Sequence, residues 1–509
     1  MKSRKTVWFI FLGVWLLQLL AETAFLVSIG LLDMLPTKYF LLLTAVCVVL
    51  LGVSAALLFF RTQTSLRMKL RRWIAGVVAF LTVLGSVVGI LAVIQLWDTL
   101  HNVTNNKPGT VMMAIYVRAD DPAKSLKDAA DYRFASVNGY ETEKTGQTLS
   151  YITQTLGKAP DTCTYDTVMA MIDALYADKT DALILNSAYV DILLDMDAYA
   201  DFEQKVRVLC EVAVDELPGN LPPTVDSQPA TDPSAPVGEK TVTNSPFVVY
   251  ISGSDTRSQT LRTSLSDVNI LMVVNPVTKQ VLLLNTPRDY YIPNPSGNGA
   301  KDKLTHFSMY GIDCSMSALS SLYGVEIDYY ARINFVGFKK MVDAIGGVTV
   351  YADENFKSEK YTFTKGENFL NGDKALSFAR TRYTVTGGDN GRGRNQMKII
   401  TAMIHKLASS TALITNYAGV MQSLQGMFVT SMSIEEISRF VKMQLDDMAD
   451  WDVLSYAVTG TNGRDITYSM PGQKVSVMYV NQQYVDYGSS LIKRIMAGEI
   501  LTAEDMKVK

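Results

Sequence analysis

Three long apolar runs dominate the first hundred positions. Residues 7–32 are interrupted only by Gln18, Glu22, Thr23 and Ser28, and residues 39–60 and 73–97 carry no charge at all. At about 1.5 Å per residue, each run matches the roughly 30 Å hydrocarbon core of a bilayer, so the pattern predicts three transmembrane helices within residues 1–100. The first run is too long for a cleaved leader, and no small-residue cleavage site follows it. Glu22 is costly in lipid and is expected to face a neighbouring helix. Lys2, Arg4 and Lys5 precede the first run and Arg61, Arg67, Lys69, Arg71 and Arg72 fill the second loop, whereas the first loop holds only Lys38. Basic loops stay cytoplasmic. The expectation is a multi-pass protein of the cell membrane, N-terminus inside, with everything after Trp97 extracellular.

Beyond the helices the period changes. Residues 111–118 (VMMAIYVR) read as a buried strand, followed by helical stretches around 123–132 and 165–177, a strand at 182–186 and a helix through 202–214. Alternating strand and helix predict an accessory α/β domain over 108–217. Residues 218–246 hold seven prolines among Ser, Thr, Asp and Gly, a composition that cannot bury a core and predicts an extended linker. After it, 247–252 (FVVYIS), 268–274 and 281–285 read as strands, the last two joined by NPVTKQ. Helices at 314–323 and 335–345, a Gly346-Gly347 turn, a strand at 348–351, an amphipathic helix at 433–447 and a strand-to-helix passage at 478–496 complete a mixed α/β domain over 247–500.

Candidate chemistry concentrates in residues 377–400, SFARTRYTVTGGDNGRGRNQMKII. Arg380, Arg382, Arg392 and Arg394 lie close together, with Gln396 expected to open an amphipathic helix after a flexible, glycine-rich loop. Neighbouring guanidiniums repel by on the order of a kcal/mol unless an anion sits among them, and their planar forks suit phosphate or carboxylate. The competing reading is a solvated surface loop whose arginines pair with a carboxylate such as Asp389. Asp255 and Arg288 each stand where a strand runs out into a loop, the usual place for ligand groups in open α/β sheets, and Asp267 immediately precedes the next strand. Asp289 is expected either to pair with Arg288 or to act in the chemistry.

Several classes drop out. The accessory stretch has no glycine-rich phosphate loop and no nucleophile motif. His101, His306 and His405 are scattered without cysteine pairs beside them, which excludes a zinc pattern. A net charge of −3 offers no basic excess, and no nucleic-acid partner is expected. Cys47 falls in the membrane; Cys163, Cys210 and Cys314 lie outside and read as buried free thiols, with a Cys163–Cys210 bridge as the alternative.

The segments GSDTR, SDVNILMVV, LLLNTPRDYY, KLTHFSMYG, FKKMVDAIGGVTVY, LNGDKALSFARTR and DNGRGRNQ occur in that order between about residues 247 and 405. Together they resemble the LytR-CpsA-Psr family, membrane-anchored enzymes that attach secondary polymers to bacterial peptidoglycan. The resemblance implies that Arg288, Arg380, Arg382, Arg392 and Gln396 hold the diphosphate of a polyprenyl-linked glycopolymer, and that Asp255 and Asp267 hold Mg²⁺. It implies catalysis by Asp267, Arg288, Asp289 and Arg380, with Asp267 or Asp289 as the base, and a lipid pocket lined by the core strands and the helices at 314–323 and 396–407. Arg394 and Asn395 depart from the common pattern. The expected reaction is phosphotransfer of a glycopolymer to peptidoglycan. Capsular polysaccharide is the expected polymer, because three N-terminal helices and an extra domain resemble the capsule-associated branch; teichoic acid is also compatible. A polyprenyl-diphosphate hydrolase and a non-enzymatic regulator that binds lipid-linked polymer are the alternatives.

Overall fold

Large apolar side chains in the first hundred residues face outward, as lipid-facing helices require. α1 (Lys2–Leu32), α2 (Thr37–Phe59) and α3 (Ser65–Thr104) expose Leu20, Leu31, Leu42 and Phe80, and bury Ala75, Ala79, Ser54, Gln18 and Glu22 between them. Small residues let the helix axes approach where no hydrophobic effect between helices is available. Gln18 Nε2 donates to Glu22 Oε1 at 2.8 Å, so Glu22 faces into the bundle as expected. All three helices are long and apolar enough to cross a membrane. The computed structural model describes the chain except residues 1, 60–64, 105–109, 140, 195, 216–239, 256–260, 262–263, 298, 410–423, 425 and 509. Most of the expected linker, and Arg257 of the first motif, lie outside the described residues.

The first sheet after the membrane helices is mixed, in the order β3-β2-β4-β1-β5. It comprises β1 (Thr110–Arg118), β2 (Arg133–Val137), β3 (Asp161–Tyr165), β4 (Ala182–Asn186) and β5 (Val206–Asp215). Around it lie α4 (Thr142–Leu156), α5 (Val168–Tyr176), α6 (Tyr189–Leu194) and α7 (Phe202–Lys205). The helix expected through 202–214 is therefore one short turn of helix followed by a strand. Val206, Val208, Val212 and Val214 recur at period two and the stretch pairs antiparallel with β1, and β-branched residues at that period favour a strand. The helix expected at 123–132 is only a four-residue 3-10 turn, Leu126–Ala129. All four cysteines are free. Cys163 in β3 and Cys210 in β5 stand on opposite edges of the sheet, which excludes their bridge, and both are half-buried rather than buried.

The second sheet is mixed and six-stranded, in the order β16-β11-β6-β7-β8-β17. Its first strands are β6 (Phe247–Ser254), β7 (Val268–Asn275) and β8 (Gln280–Asn285). A small ladder, β9 (Tyr291–Pro293) and β10 (Lys301–Lys303), leads through α8 (Leu304–Phe307) to α9 (Ile312–Tyr323), β11 (Tyr329–Asn334) and α10 (Phe335–Ala344). Then come β12 (Val348–Ala352), the short pair β13 (Phe356–Lys357) and β14 (Thr362–Phe363), β15 (Gly366–Leu370), α11 (Gly372–Arg380) and α12 (Asp389–Ser409). The chain closes with β16 (Phe428–Thr430), α13 (Ile434–Asp447), β17 (Asp452–Ala457), the hairpin of β18 (Gly460–Thr467) and β19 (Met470–Val480), and α14 (Gln482–Met496).

Alternate residues of the central strands serve two layers, as the strand period dictates. Val248, Tyr250, Leu271, Val273 and Leu284 pack with Leu319 and Tyr323 of α9 and Leu491 and Ile492 of α14. Val249, Ile270, Val274 and Leu283 pack on the other face with Met397 of α12 and Trp451. The first core continues into the accessory domain through Ala114, Leu183 and Tyr189. Tyr189 Oη donates to Ser469 O, and Asn186 Nδ2 donates to Met309 O at 3.1 Å. The two sheets are therefore packed on each other, not merely tethered.

α13 joins this body to the membrane helices. Ser433 caps it reciprocally with Glu436, Ile434 and Ile437 pack on Leu32, Met34 and Leu100, and Lys442 Nζ meets Asp33 Oδ1 at 2.6 Å. On its other side Gln444 Nε2 donates to Ala408 O near the end of α12, at 3.2 Å.

The start of α12 is another departure from expectation. Gly391 and Gly393 are helical rather than parts of a flexible loop. Each costs about 1 kcal/mol relative to alanine in an open helix, yet a Cβ on Gly393 would strike the Asn285 side chain and one on Gly391 the Thr386 carbonyl. The glycines let α12 press against the end of β8. Gly393→Ala is accordingly expected to destabilise the protein by about 1–3 kcal/mol, despite alanine's better helix propensity, and thermal unfolding of the purified chain measures it. A stabilised variant would show that the close approach is not needed.

Candidate functional site

Three strands deliver the acidic and basic residues to one end of the sheet. Gly253 of β6 stands opposite Val268 of β7, and Asp267 N donates to Gly253 O at 2.8 Å. Asp255 and Asp267 thus flank the β6–β7 connection. β8 ends at Asn285 and carries the chain on to Arg288. Thr305 N donates to Arg288 O at 2.8 Å and Ser266 N to Thr305 O at 3.1 Å, so one short helix pins both the arginine and the end of the β6–β7 connection.

Above this sheet end lies a cavity of about 1360 Å³. It is lined by Asp255, Asp267, Arg288, Arg380, Arg382, Arg392 and Gln396, all but one of the residues picked from the sequence as site residues. The exception is Asp289. Its carboxylate lies 3.3 Å from Lys303 Nζ and 3.9 Å from Arg288 Nε, and it does not line the cavity. Burial disfavours its charge, but Lys303 and Arg288 outweigh that and hold it below the usual carboxylate range.

The arginines fall into two kinds. Arg288 Nη1 donates to Asp267 Oδ1 at 2.6 Å. Burial works against the Arg288 charge, but Asp267 and Asp289 overcome it and keep the guanidinium more firmly protonated than usual. Arg392 Nη2 meets Asp389 Oδ1 at 2.6 Å, an ionic contact whose angle does not make a hydrogen bond, so pairing with Asp389 is correct for this one residue. Arg380 and Arg382, by contrast, have no carboxylate partner among the described residues. Arg380, at the end of α11, stacks over Phe335 at 4.7 Å and Arg382 lies 5.3 Å from the Tyr383 ring. A guanidinium on an aromatic face keeps its hydrogen-bonding edge available. Gln396 is buried on α12, and the N-terminal half-turns of that helix add the positive end of its dipole to the same wall. Arg394 turns away to Thr386 O at 2.7 Å.

The rest of the lining is apolar. Ile399, Ile400, Met403, Ile404 and Leu407 of α12 face Phe335, Phe338 and Met341 of α10 and Ile251 and Ile333 of the sheet. Along α12 the lining runs from Arg392 to Leu407, about 22 Å of helix, polar at one end and apolar at the other. The apolar end is the one held by α13, which sits on the membrane helices. The helix at 314–323 was expected here but packs on the opposite face of the sheet, because the alternation of the strands assigns it to the other layer. Phe335, Lys339, Lys357, Lys360 and Tyr361 also line the cavity, and the sequence reading missed them. The sequence predicts α10 as a helix without placing it at the site, and Lys357 and Lys360 arrive on a hairpin with no motif.

Two carboxylates, Asp255 and Asp267, at the polar end of the cavity suit a divalent cation that takes most of its ligands from substrate and water. Among the described residues no cluster of three or more acidic, histidine or cysteine side chains could hold a metal. The donor set fits a shared cation and not a protein-caged one.

The profile of the LytR_cpsA_psr family matches residues 223–484. Among curated relatives, the polyisoprenyl-teichoic acid–peptidoglycan teichoic acid transferase TagU of Bacillus cereus is 36% identical over 193 residues, 38% of this chain and 62% of its own length. The enzyme of the same name from Enterococcus faecalis is 33% identical over 196 residues, 38% of this chain and 64% of its own. The chain therefore spans under two thirds of the length of these relatives. Among solved structures, B. subtilis TagV superposes with a TM-score of 0.42 at 22% identity, covering 51% of this chain and 99% of that one. TagT bound to LI-WTA does so with 0.41 at 24% identity, covering 51% and 94%.

The Asp289–Lys303 contact generates a pH test. A carboxylate held below its unfolded value, about 4, adds stability that is complete above that pH and is lost as pH falls through the depressed folded value. Lys303→Met removes the main compensation for burial, and is expected to cost about 3 kcal/mol near neutrality. The gap to the unaltered protein should narrow as pH falls toward the depressed folded value of Asp289, below which the carboxyl is neutral in both. Urea midpoints between pH 3 and 7 measure it; a gap independent of pH would remove Asp289 from the explanation.

Proposed function

The chain belongs to the LytR-CpsA-Psr family, and on that premise we propose that it is a membrane-held phosphotransferase. It moves a glycopolymer from a polyprenyl-diphosphate carrier to peptidoglycan through a phosphodiester bond. One observation carries the reading: Arg380 and Arg382, which have no carboxylate partner among the described residues, share a cavity with Arg288 and with an apolar channel. Cations ask for an anion and the channel asks for a hydrocarbon, and a lipid-linked diphosphate supplies both. The membrane helices and α13 support lipid entry at the apolar end, directly from the outer leaflet.

In the reaction, a sugar hydroxyl of peptidoglycan attacks the polymer-side phosphorus. A new P–O bond forms, the bond from that phosphorus to the bridging oxygen breaks, and polyprenyl phosphate leaves with the bond's electrons. Arg288, Arg380, Arg382 and Arg392 hold the diphosphate oxygens and stabilise charge as it develops on the leaving phosphate, usually the largest contribution to such catalysis. Gln396 adds a neutral donor from α12. Asp267 takes the hydroxyl proton, since of the two carboxylates considered for that task it alone lines the cavity; Asp289 serves Arg288 from behind. Asp255 and Asp267 would hold Mg²⁺, which supplies further charge neutralisation at the diphosphate.

Capsular polysaccharide remains our first choice of polymer, on the resemblance of three helices plus an extra domain to the capsule-associated branch. The names of the relatives carry teichoic acid, and both donors belong in the test. The full chain in lipid nanodiscs is the reagent, because residues 247–509 alone would expose the core shared with the accessory domain. It is incubated with either donor and peptidoglycan fragments, with and without Mg²⁺, and products are read by mass spectrometry. A phosphodiester-linked product, reduced at least 100-fold (about 2.7 kcal/mol or more at the transition state) in Arg288→Ala and Arg380→Ala, is the expected result. Free polymer phosphate without linkage would favour the hydrolase. Tight binding with no turnover would favour a regulator of synthesis or export.

A further inference from the structure

One buried arginine lies outside the cavity. Arg332 of β11 is 8% exposed. Its strand neighbours Ala331 and Ile333 line the cavity, and alternation along the strand turns Arg332 to the opposite face of the sheet. Its register partner is Ser252 of β6, and Tyr250, two residues earlier, belongs to the core on that face. Burial works against the charge of Arg332. It makes no ion pair with a carboxylate among the described residues, and its Nε has no hydrogen-bond partner there. What the guanidinium holds is a single residue: Nη2 donates to Ser264 O at 2.8 Å and to Ser264 Oγ at 3.0 Å.

Ser264 stands in the β6–β7 connection, three residues before Asp267. Its carbonyl also accepts from Ser308 Oγ at 2.6 Å. Its hydroxyl lies 2.6 Å from the hydroxyl of Ser254, the residue before Asp255. Ser266, just before Asp267, shares a hydrogen bond of 2.8 Å with Ser252 Oγ. The contacts of one guanidinium thus reach both ends of a connection that starts at Asp255 and ends at Asp267, the two carboxylates described above as lining the cavity beside Arg288.

A buried cation without a carboxylate is costly, and a well-packed apolar residue of similar volume in its place is often neutral or stabilising. Folding alone therefore does not call for an arginine here, and departures of this kind are expected where function needs them. Resting on the phosphotransferase reading, we infer that Arg332 is a positioning residue. From the far face of the sheet it clamps Ser264, and so sets Asp255 and Asp267 relative to Arg288 without touching the donor.

The full chain in nanodiscs tests this through three quantities: phosphodiester product formed at saturating donor, donor affinity without Mg²⁺, and the thermal midpoint. Arg332→Met should lower turnover about tenfold to a hundredfold, the effect of a small misplacement of reacting groups. Donor affinity, set by the arginines of the cavity, should stay unchanged, and the midpoint should not fall. Arg332→Lys, which keeps one donor for Ser264, should recover part of the turnover. Ser308→Ala removes the other side-chain bond to Ser264 O and should lower turnover several-fold at unchanged donor affinity; it decides the matter should Arg332→Met fail to fold. Turnover that is unchanged, that falls only together with the midpoint, or that falls together with donor affinity overturns the inference and leaves the phosphotransferase reading standing. Unaltered protein that forms no product overturns both.

Discussion

Arg288 is the charge around which the site is organised. It is largely buried where β8 runs out, Asp267 touches it from the cavity side and Asp289 from behind. Breaking such a pair from one side costs about 3–5 kcal/mol, because an uncompensated charge is left in a poor solvent. The surrounding backbone therefore has to be fixed to keep both partners in place. The β6–β7 register, the bonds from Thr305 and Ser266 and the Lys303 contact to Asp289 all meet that demand. Arg380 and Arg382 lie outside this network and stack on rings instead. The same cavity thus holds a cation already paired with carboxylates and two with no carboxylate partner among the described residues.

Much of this was legible before any coordinates. Apolar runs of bilayer length gave the membrane helices, and short apolar runs at 247–252, 268–274 and 281–285 gave the central strands nearly to the residue. The seven ordered motifs picked the arginines, the glutamine and the two cavity carboxylates, which lie beside strand ends, at or just past the end of α11, and in the first turns of α12. The failures share a cause. Residues 202–214 hold enough apolar positions for either period, and only pairing with β1 settles the strand. Gly391 and Gly393 spell a loop by propensity, yet tertiary contact with Asn285 and Thr386 makes glycine the residue that fits the helix.

Which layer a helix joins is less visible still. The helices at 314–323 and 396–407 look alike in composition, but connectivity sends one to each face of the sheet, and only α12 meets the cavity. Asp289 poses the same difficulty on a smaller scale. Adjacent residues after a strand end point in different directions, so Arg288 enters the cavity while its neighbour turns to Lys303. A motif that includes both gives no means of telling them apart.

The proline-rich stretch invited a picture of two independent outer domains. A linker's composition determines how the chain travels, not whether its ends adhere, and here the buried surface decides. Leu183, Tyr189 and Phe202 share one core with Val248, Leu271 and Leu282, and Tyr189 bonds to Ser469 across the junction. α13 makes a second fixed junction, with the membrane helices. Held at both junctions, the cavity has a defined direction: its apolar end lies beside α13 and the membrane helices, and its arginines lie at the opposite end. On the proposed function, a lipid-linked diphosphate would lie with its tail at the α13 end and its diphosphate at Arg288, which is already fixed by its two carboxylates. Orientation of this kind is established by folding, so little of the binding energy need be spent on ordering the site.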